Sequence, residues 1–207
     1  MESYKKPDYW SLKAQKEDYP ARSVYKLKEI DDKFHFFTSA PRINTTLRIL
    51  DLGAAPGSWS LYIIRSYGKD SRLPLFIAAA DLLPLSQRND FFGDIFFIQG
   101  DFTGNMVREE LVCRGPYSAI ISDAAPATTG SRTVDTLRSL TLAEEVLFYA
   151  ENCLIPGGNL AIKIFQGGDA AELLKRVKTC FNSAKSFKPS ACRNSSFETY
   201  YVGLGKK

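Results

Sequence analysis

Residues 49–60 read ILDLGAAPGSWS. An apolar run ends in Asp51, passes through Gly53, Ala54, Ala55, Pro56 and Gly57, and resumes in residues fit for a helix. That pattern is a buried strand followed by a turn stripped of side-chain bulk. Three comparable junctions follow: PLFIAAAD ends at Asp81, DIFFIQGD at Asp101 and YSAIISD at Asp123. SWSLYIIRSYG reads as a helix closed at Gly68. TLRSLTLAEEVLFYAENCL reads as a long amphipathic helix closed by PGG. NLAIKIFQ is a fifth strand, GDAAELLKRVKTCF a further helix, and SAKSFKP with ETYYVGLG a closing strand pair. Upstream, Val24, Leu27, Ile30 and Phe34 stand near helical spacing, and residues 1–20 make a basic, aromatic arm or short helix. Apolar strands alternating with helices predict a doubly wound, mostly parallel α/β sheet covered on both faces.

The bulk numbers agree with one such domain spanning residues 1–207. Hydrophobic residues are 44% and charged residues 24% of the chain, enough to bury a core without staples. The net charge of +4 is too small by itself to identify a nucleic-acid partner. The four cysteines are scattered with no CxxC pair, and there is one histidine, His35. Those spacings exclude a zinc ribbon and a disulfide framework, and no metal is expected. The start, MESYKKPDYW, has no apolar signal-peptide core, and no run of about 18 apolar residues offers a membrane span. The expectation is a cytoplasmic protein.

Four strands that end in acids aim those acids at one rim, because ligands of open α/β sheets bind outside the carboxyl ends of the strands. Each acid could instead cap the helix that follows it. Gly53 and Gly57 would let a ligand approach the backbone closely. The turn lacks GxGxxG and has no Lys-Ser/Thr pair, so it is not a phosphate cradle. Asp51 would repel phosphate and favour a cation, while Asp81 suits ribose hydroxyls. A cationic nucleoside fits that set, and S-adenosylmethionine is the candidate. Lys163 interrupts the apolar strand NLAIKIFQ. It either faces solvent from an edge strand or lies at the rim beside Asp123 as a tuned base.

ARSVYKL, LDLGAAPGSWS, ADLLP, QGDF, SDAAPATTG, IKIFQG and SSFETYYV stand in the order of the FtsJ-type ribose 2′-O-methyltransferases, which the chain resembles from about Tyr9 almost to its end. The resemblance implies a Rossmann-like, seven-stranded methyltransferase sheet whose last strand is antiparallel. It implies a catalytic tetrad of Lys26, Asp123, Lys163 and Glu198, with Lys163 as proton acceptor. Cofactor positions implied are Gly57, Trp59, Asp81, Asp101 and Asp123, with S-adenosylmethionine as the cofactor. The implied partner is ribosomal RNA, a uridine within the large ribosomal subunit, and the chain is expected to act as a monomer. The alternatives are the same reaction on tRNA or an mRNA cap, or a non-catalytic ribosome-assembly module. The family usually has Gly-Gly-Trp where this chain has Gly57-Ser58-Trp59, and often Pro-Asn-Met-Ser-Gly where it has PATTG at 126–130.

Methyl transfer to a hydroxyl needs alignment and a base within hydrogen-bond reach. Lys163 would serve as that base if neutral, or would orient the hydroxyl if it stays cationic. Cations Lys5, Lys6, Lys13, Lys16, Arg22, Lys26 and Lys28 are interleaved with aromatics near the amino terminus. Lys175, Arg176, Lys178, Lys185, Lys188 and Arg193 follow later. Both sets are expected to flank the tetrad and offer a basic surface to RNA.

Overall fold

The computed structural model describes residues 8–69, 74–87, 95–193 and 195–207. Lys5 and Lys6 of the expected basic arm lie outside them, as does Asp94 at the expected start of the third strand. Strands β1 (Leu47–Leu52), β2 (Leu75–Asp81), β3 (Ile95–Gln99), β4 (Tyr117–Ser122), β5 (Leu154–Phe165), β6 (Phe181–Phe187) and β7 (Glu198–Lys206) form one sheet in the order β3-β2-β1-β4-β5-β7-β6. The first five pair in parallel, and β7 runs antiparallel to both β5 and β6. The expected mostly parallel sheet with an antiparallel last strand is therefore present. Its order reverses between β1 and β4, the place where such sheets open a ligand crevice.

Six helices cover the sheet: α1 (Tyr9–Lys16), α2 (Val24–Phe34), α3 (Ser58–Tyr67), α4 (Asn105–Cys113), α5 (Arg132–Cys153) and α6 (Ala170–Cys180). Successive strand residues point to opposite faces, so each strand feeds two cores. Ile49, Ile77, Ile121, Ala161 and Tyr200 pack with α2 and α3 on one face. Leu50, Ala78, Ile120, Ile162 and Tyr201 pack with α4, α5 and α6 on the other. Lys163, in phase with Ala161, belongs to the α2 face.

Two expectations change. α4 is an additional helix that the pattern did not reveal, since it buries only Leu111 fully and so carries little periodicity. The PGG at 156–158 does not end α5; it lies inside β5. Gly157 there has φ +80°, and the pairing with β4 shifts register between Tyr117 and Ala119, so the strand continues through a local irregularity. Among the described residues no helix is long and apolar enough to cross a membrane.

Candidate active site

Strand register assembles the polar centre. Ser122, the last residue of β4, lies opposite Ile162 of β5, so Asp123 emerges beside Lys163. On the other side of β5, Lys163 is directly opposite Tyr200 and Phe165 opposite Glu198, which sets Glu198 diagonally across from Lys163 on the same face. β5 is thus an interior strand, and the solvent-facing alternative for Lys163 is excluded. α2, packed on that face, supplies Lys26.

The four side chains form a closed ring of opposite charges. Lys26 Nζ is 3.0 Å from Glu198 Oε2 and 3.6 Å from Asp123 Oδ1. Lys163 Nζ is 3.2 Å from Asp123 Oδ1 and 3.6 Å from Glu198 Oε2, and it also donates to the Asp123 carbonyl at 3.2 Å. Burial alone would raise the Asp123 pKa, but the ammonium groups of Lys163 and Lys26 outweigh it and hold the carboxyl below its usual value. Burial likewise pulls Lys26 down, and Asp123 with Glu198 more than reverses that, so Lys26 stays cationic through neutral pH. Tyr200 is a member that the sequence reading did not assign. Its hydroxyl donates to Asp123 Oδ1 at 2.5 Å, and its ring lies 5.8 Å beneath Lys26 Nζ. The signal was its place two residues after Glu198, on the same strand face.

The turn after β1 has a different role from the one its composition suggested. A Cβ on Gly53 would lie 2.6 Å from Ala124 Cβ and 2.9 Å from Ala124 N, and φ there is +75°. The neighbouring strand end, rather than a ligand alone, forbids a side chain at Gly53. Asp51 does not face the rim: it is 1% exposed and accepts a 2.6 Å bond from Ser60 Oγ. Burial, seconded by the charges of Asp123 and Asp81, pushes its carboxyl up to about 7 against the Ser60 bond. Asp51 is thus set back behind Ser60 and is not part of the wall of the crevice described next.

Asp81 and Asp101 do reach a crevice. With Gly53, Leu82, Phe102 and Ala125 they line a cavity of about 580 Å³ at the carboxyl ends of β1, β2 and β4. Asp81 accepts from the Ala55 and Leu83 amides at 2.9 and 2.8 Å, which fixes its carboxylate and leaves lone pairs free. Asp101 Oδ1 takes the Thr103 amide and hydroxyl, at 2.9 and 2.8 Å. The walls are largely apolar, with Asp81, Asp101 and Glu145 as carboxylates and Arg138 as one cation, and that excess of carboxylates suits a cationic nucleoside, so the residues present fit S-adenosylmethionine.

Gly57 and Trp59 do not line that cavity. Trp59 is buried, its ring 5.9 Å from that of Tyr200, and its indole N–H donates to the Ser23 carbonyl at 2.8 Å. Ser58 Oγ accepts from the Ala21 amide at 2.7 Å. Both residues clamp the start of α2, the helix that carries Lys26. Trp59 thus has a contact that holds the start of α2.

The cations divide. Lys26, Arg22 and Arg193 line a second cavity, of about 370 Å³, together with Glu198. Lys175, Arg176 and Lys178 belong to α6, on the opposite face of the sheet, where Lys175 pairs with Glu172 and Arg176 with Glu144 and Glu151. Trp10 and Tyr25 pack against each other with ring centres 5.1 Å apart, and Lys13 lies over both. Those aromatics are engaged in packing.

With this geometry in view, the comparisons are specific. Residues 19–206 match the FtsJ-like methyltransferase family. A Treponema denticola protein named ribosomal RNA large subunit methyltransferase E is 48% identical over 204 residues, covering 99% of this chain and 97% of its own. A Borrelia duttonii protein of the same name is 40% identical, covering 94% of each chain. The crystal structure of a Plasmodium falciparum protein described as a ribosomal RNA methyltransferase superposes with a TM-score of 0.73 at 25% identity, covering 91% of this chain and 98% of its own. Human methyltransferase-like protein 13, solved in complex with SAH, shares the fold at a TM-score of 0.54 and 15% identity, over 77% of this chain and 72% of its own.

Proposed function

The chain belongs to the FtsJ-like methyltransferase family, and on that footing we propose that it methylates the ribose 2′-hydroxyl of a uridine in large-subunit ribosomal RNA, using S-adenosylmethionine. The names of its relatives support the large-subunit substrate. The observation that carries the reading is the placement of the charged ring between two cavities. Ala124 and Ala125, next to Asp123, line the larger one, while Lys26 and Glu198 line the smaller. A nucleoside donor in the first and a ribose in the second would meet at the ring. The reaction takes place in the cytoplasm, on a monomer.

S-adenosylmethionine supplies an electrophilic methyl group on a sulfonium sulfur. The chain's residues supply the rest. Asp81 and Asp101 bind the hydroxyl and amine groups of the nucleoside, and the Leu82, Phe102 and Ala125 walls exclude water from it. Lys26, held cationic by two carboxylates, orients the target hydroxyl with Glu198. Lys163 Nζ stands where it would accept the proton of the target hydroxyl, whose oxygen would receive the donor's methyl group. Asp123 holds Lys163 through its carboxylate and carbonyl. Tyr200 holds Asp123 in turn.

The test is transfer of labelled methyl to purified large subunits, free ribosomal RNA and tRNA, all lacking prior modification. Large subunits should be labelled at one ribose, and Lys163→Ala should cut turnover by about 100-fold or more while the cofactor still binds. Label on tRNA alone would move the substrate. Full turnover by Lys163→Ala would remove the proposed base.

A further inference from the structure

A third cavity, of about 410 Å³, lies against Tyr19 and Pro20. It shares two walls with the cavity at the charged ring: Arg22 and Arg193 line both. Each space has the size of a small-ligand pocket, and the two arginines form the saddle between them.

The arginines are held differently. Arg22 is engaged, pairing with Asp8 and donating to the Ala191 carbonyl. Arg193 is exposed, and its side chain has no hydrogen-bond or ion-pair partner among the described residues. The described residues on either side of it are nevertheless tied. Glu29 of α2 accepts from the Ser190 amide at 2.7 Å, the Ser190 hydroxyl at 2.8 Å and the Ala191 amide at 2.9 Å. Lys188 Nζ donates to the Ser196 carbonyl at 2.7 Å, and the Ser196 amide to the Arg193 carbonyl at 2.9 Å. Between those tied residues Arg193 presents a guanidinium with no partner among the described residues. It stands next to a ring whose own two positive charges are matched by two carboxylates.

A guanidinium fork without a carboxylate matches a phosphodiester, which accepts two parallel N–H bonds. We propose that the Arg22–Arg193 saddle is a phosphodiester-binding subsite for unpaired RNA. It grips the backbone beside the target nucleotide, whose ribose sits at the ring, while the adjoining nucleotide rests against Tyr19 and Pro20. The assignment rests on the reading of the ring as the methyl-transfer site. Arg193 supplies the contact; Arg22 steadies the loop and completes the positive wall.

Steady-state transfer to unmodified large subunits tests it, with the salt concentration varied. Arg193→Ala should raise KM for the subunit about tenfold, leave kcat and cofactor affinity within about twofold, and flatten the log KM against log salt slope by about 0.7 to 1. Arg193→Lys should restore the slope, because the point charge returns without the fork. An unchanged KM for Arg193→Ala, with transfer still dependent on Lys163, would overturn the subsite and leave the methyl-transfer reading standing. A raised KM with an unchanged slope would also overturn it, since the residue would then act by shaping the loop. If Lys163→Ala turns over normally, the underlying reading fails instead.

Discussion

Asp51 and Asp123 end neighbouring strands and behave oppositely. Asp123 meets two ammonium groups and is held as a carboxylate. Its contribution to stability is present above the unfolded value of about 4 and is lost as pH falls through its lower folded value. Lys26, whose pKa is raised, contributes below the unfolded value of about 10.4 and loses that contribution as pH rises through its higher folded one. Asp51 is buried, meets a serine hydroxyl and feels the like charges of Asp123 and Asp81, and its folded pKa of about 7 exceeds the unfolded one. The folded chain therefore binds more protons there than the unfolded chain between about pH 4 and 7, so this group removes stability as pH rises through that window. Asp51→Asn keeps an acceptor for Ser60 and carries no charge. Urea denaturation at pH 5 and pH 8 should show the variant gaining on the parent between the two, by about 3 kcal/mol. An identical pH dependence in both would mean that Asp51 is charged in the folded state.

Between elements, the contact that matters is that of α3 with α2. Ser58 and Trp59, immediately after the glycine turn, bond to the backbone at Ala21 and Ser23 and so set where Lys26 stands. The start of α3, just after the glycine turn, is thereby bonded to the segment that leads into α2. Trp59→Phe removes the indole N–H and keeps most of the buried ring. Its turnover should fall about tenfold, through misplacement of Lys26, with cofactor affinity little changed. Isothermal titration beside single-turnover kinetics reads both. A large loss of cofactor affinity with normal transfer at saturation would return Trp59 to the cofactor site.

Over the molecule as a whole, the sheet separates the cations beside the charged ring from those of α6. α6 packs on the face of α4 and α5, and its Lys175 and Arg176 are matched by glutamates. Net charge and residue counts do not record this division. Lys175→Ala with Lys178→Ala should leave KM for the large subunit and its salt slope unchanged within about twofold, because phosphate contacts act over a Debye length of about 10 Å or less. A slope that falls by one or more would place RNA on the α6 face.

The strands, their order of acids and the closing pair were legible in the sequence, because buried parallel strands are continuous apolar runs and their ends are punctuated by Gly and Asp. The identity of the charged ring was legible through the motifs around Lys26, Asp123, Lys163 and Glu198. α4 was not, since a helix with one fully buried residue leaves little periodic trace. Nor was the direction of any side chain at the rim. Sequence alone placed Asp51, Asp81, Asp101 and Asp123 after strands; tertiary packing buried the first, put the next two in a cavity and paired the last with lysines. The register of β5 between β4 and β7 decided that Lys163 is an interior residue, and the packing of α2 decided that Lys26 meets it. Those outcomes depend on which elements become neighbours, and a charge acquires its role from the groups brought within a few ångströms of it.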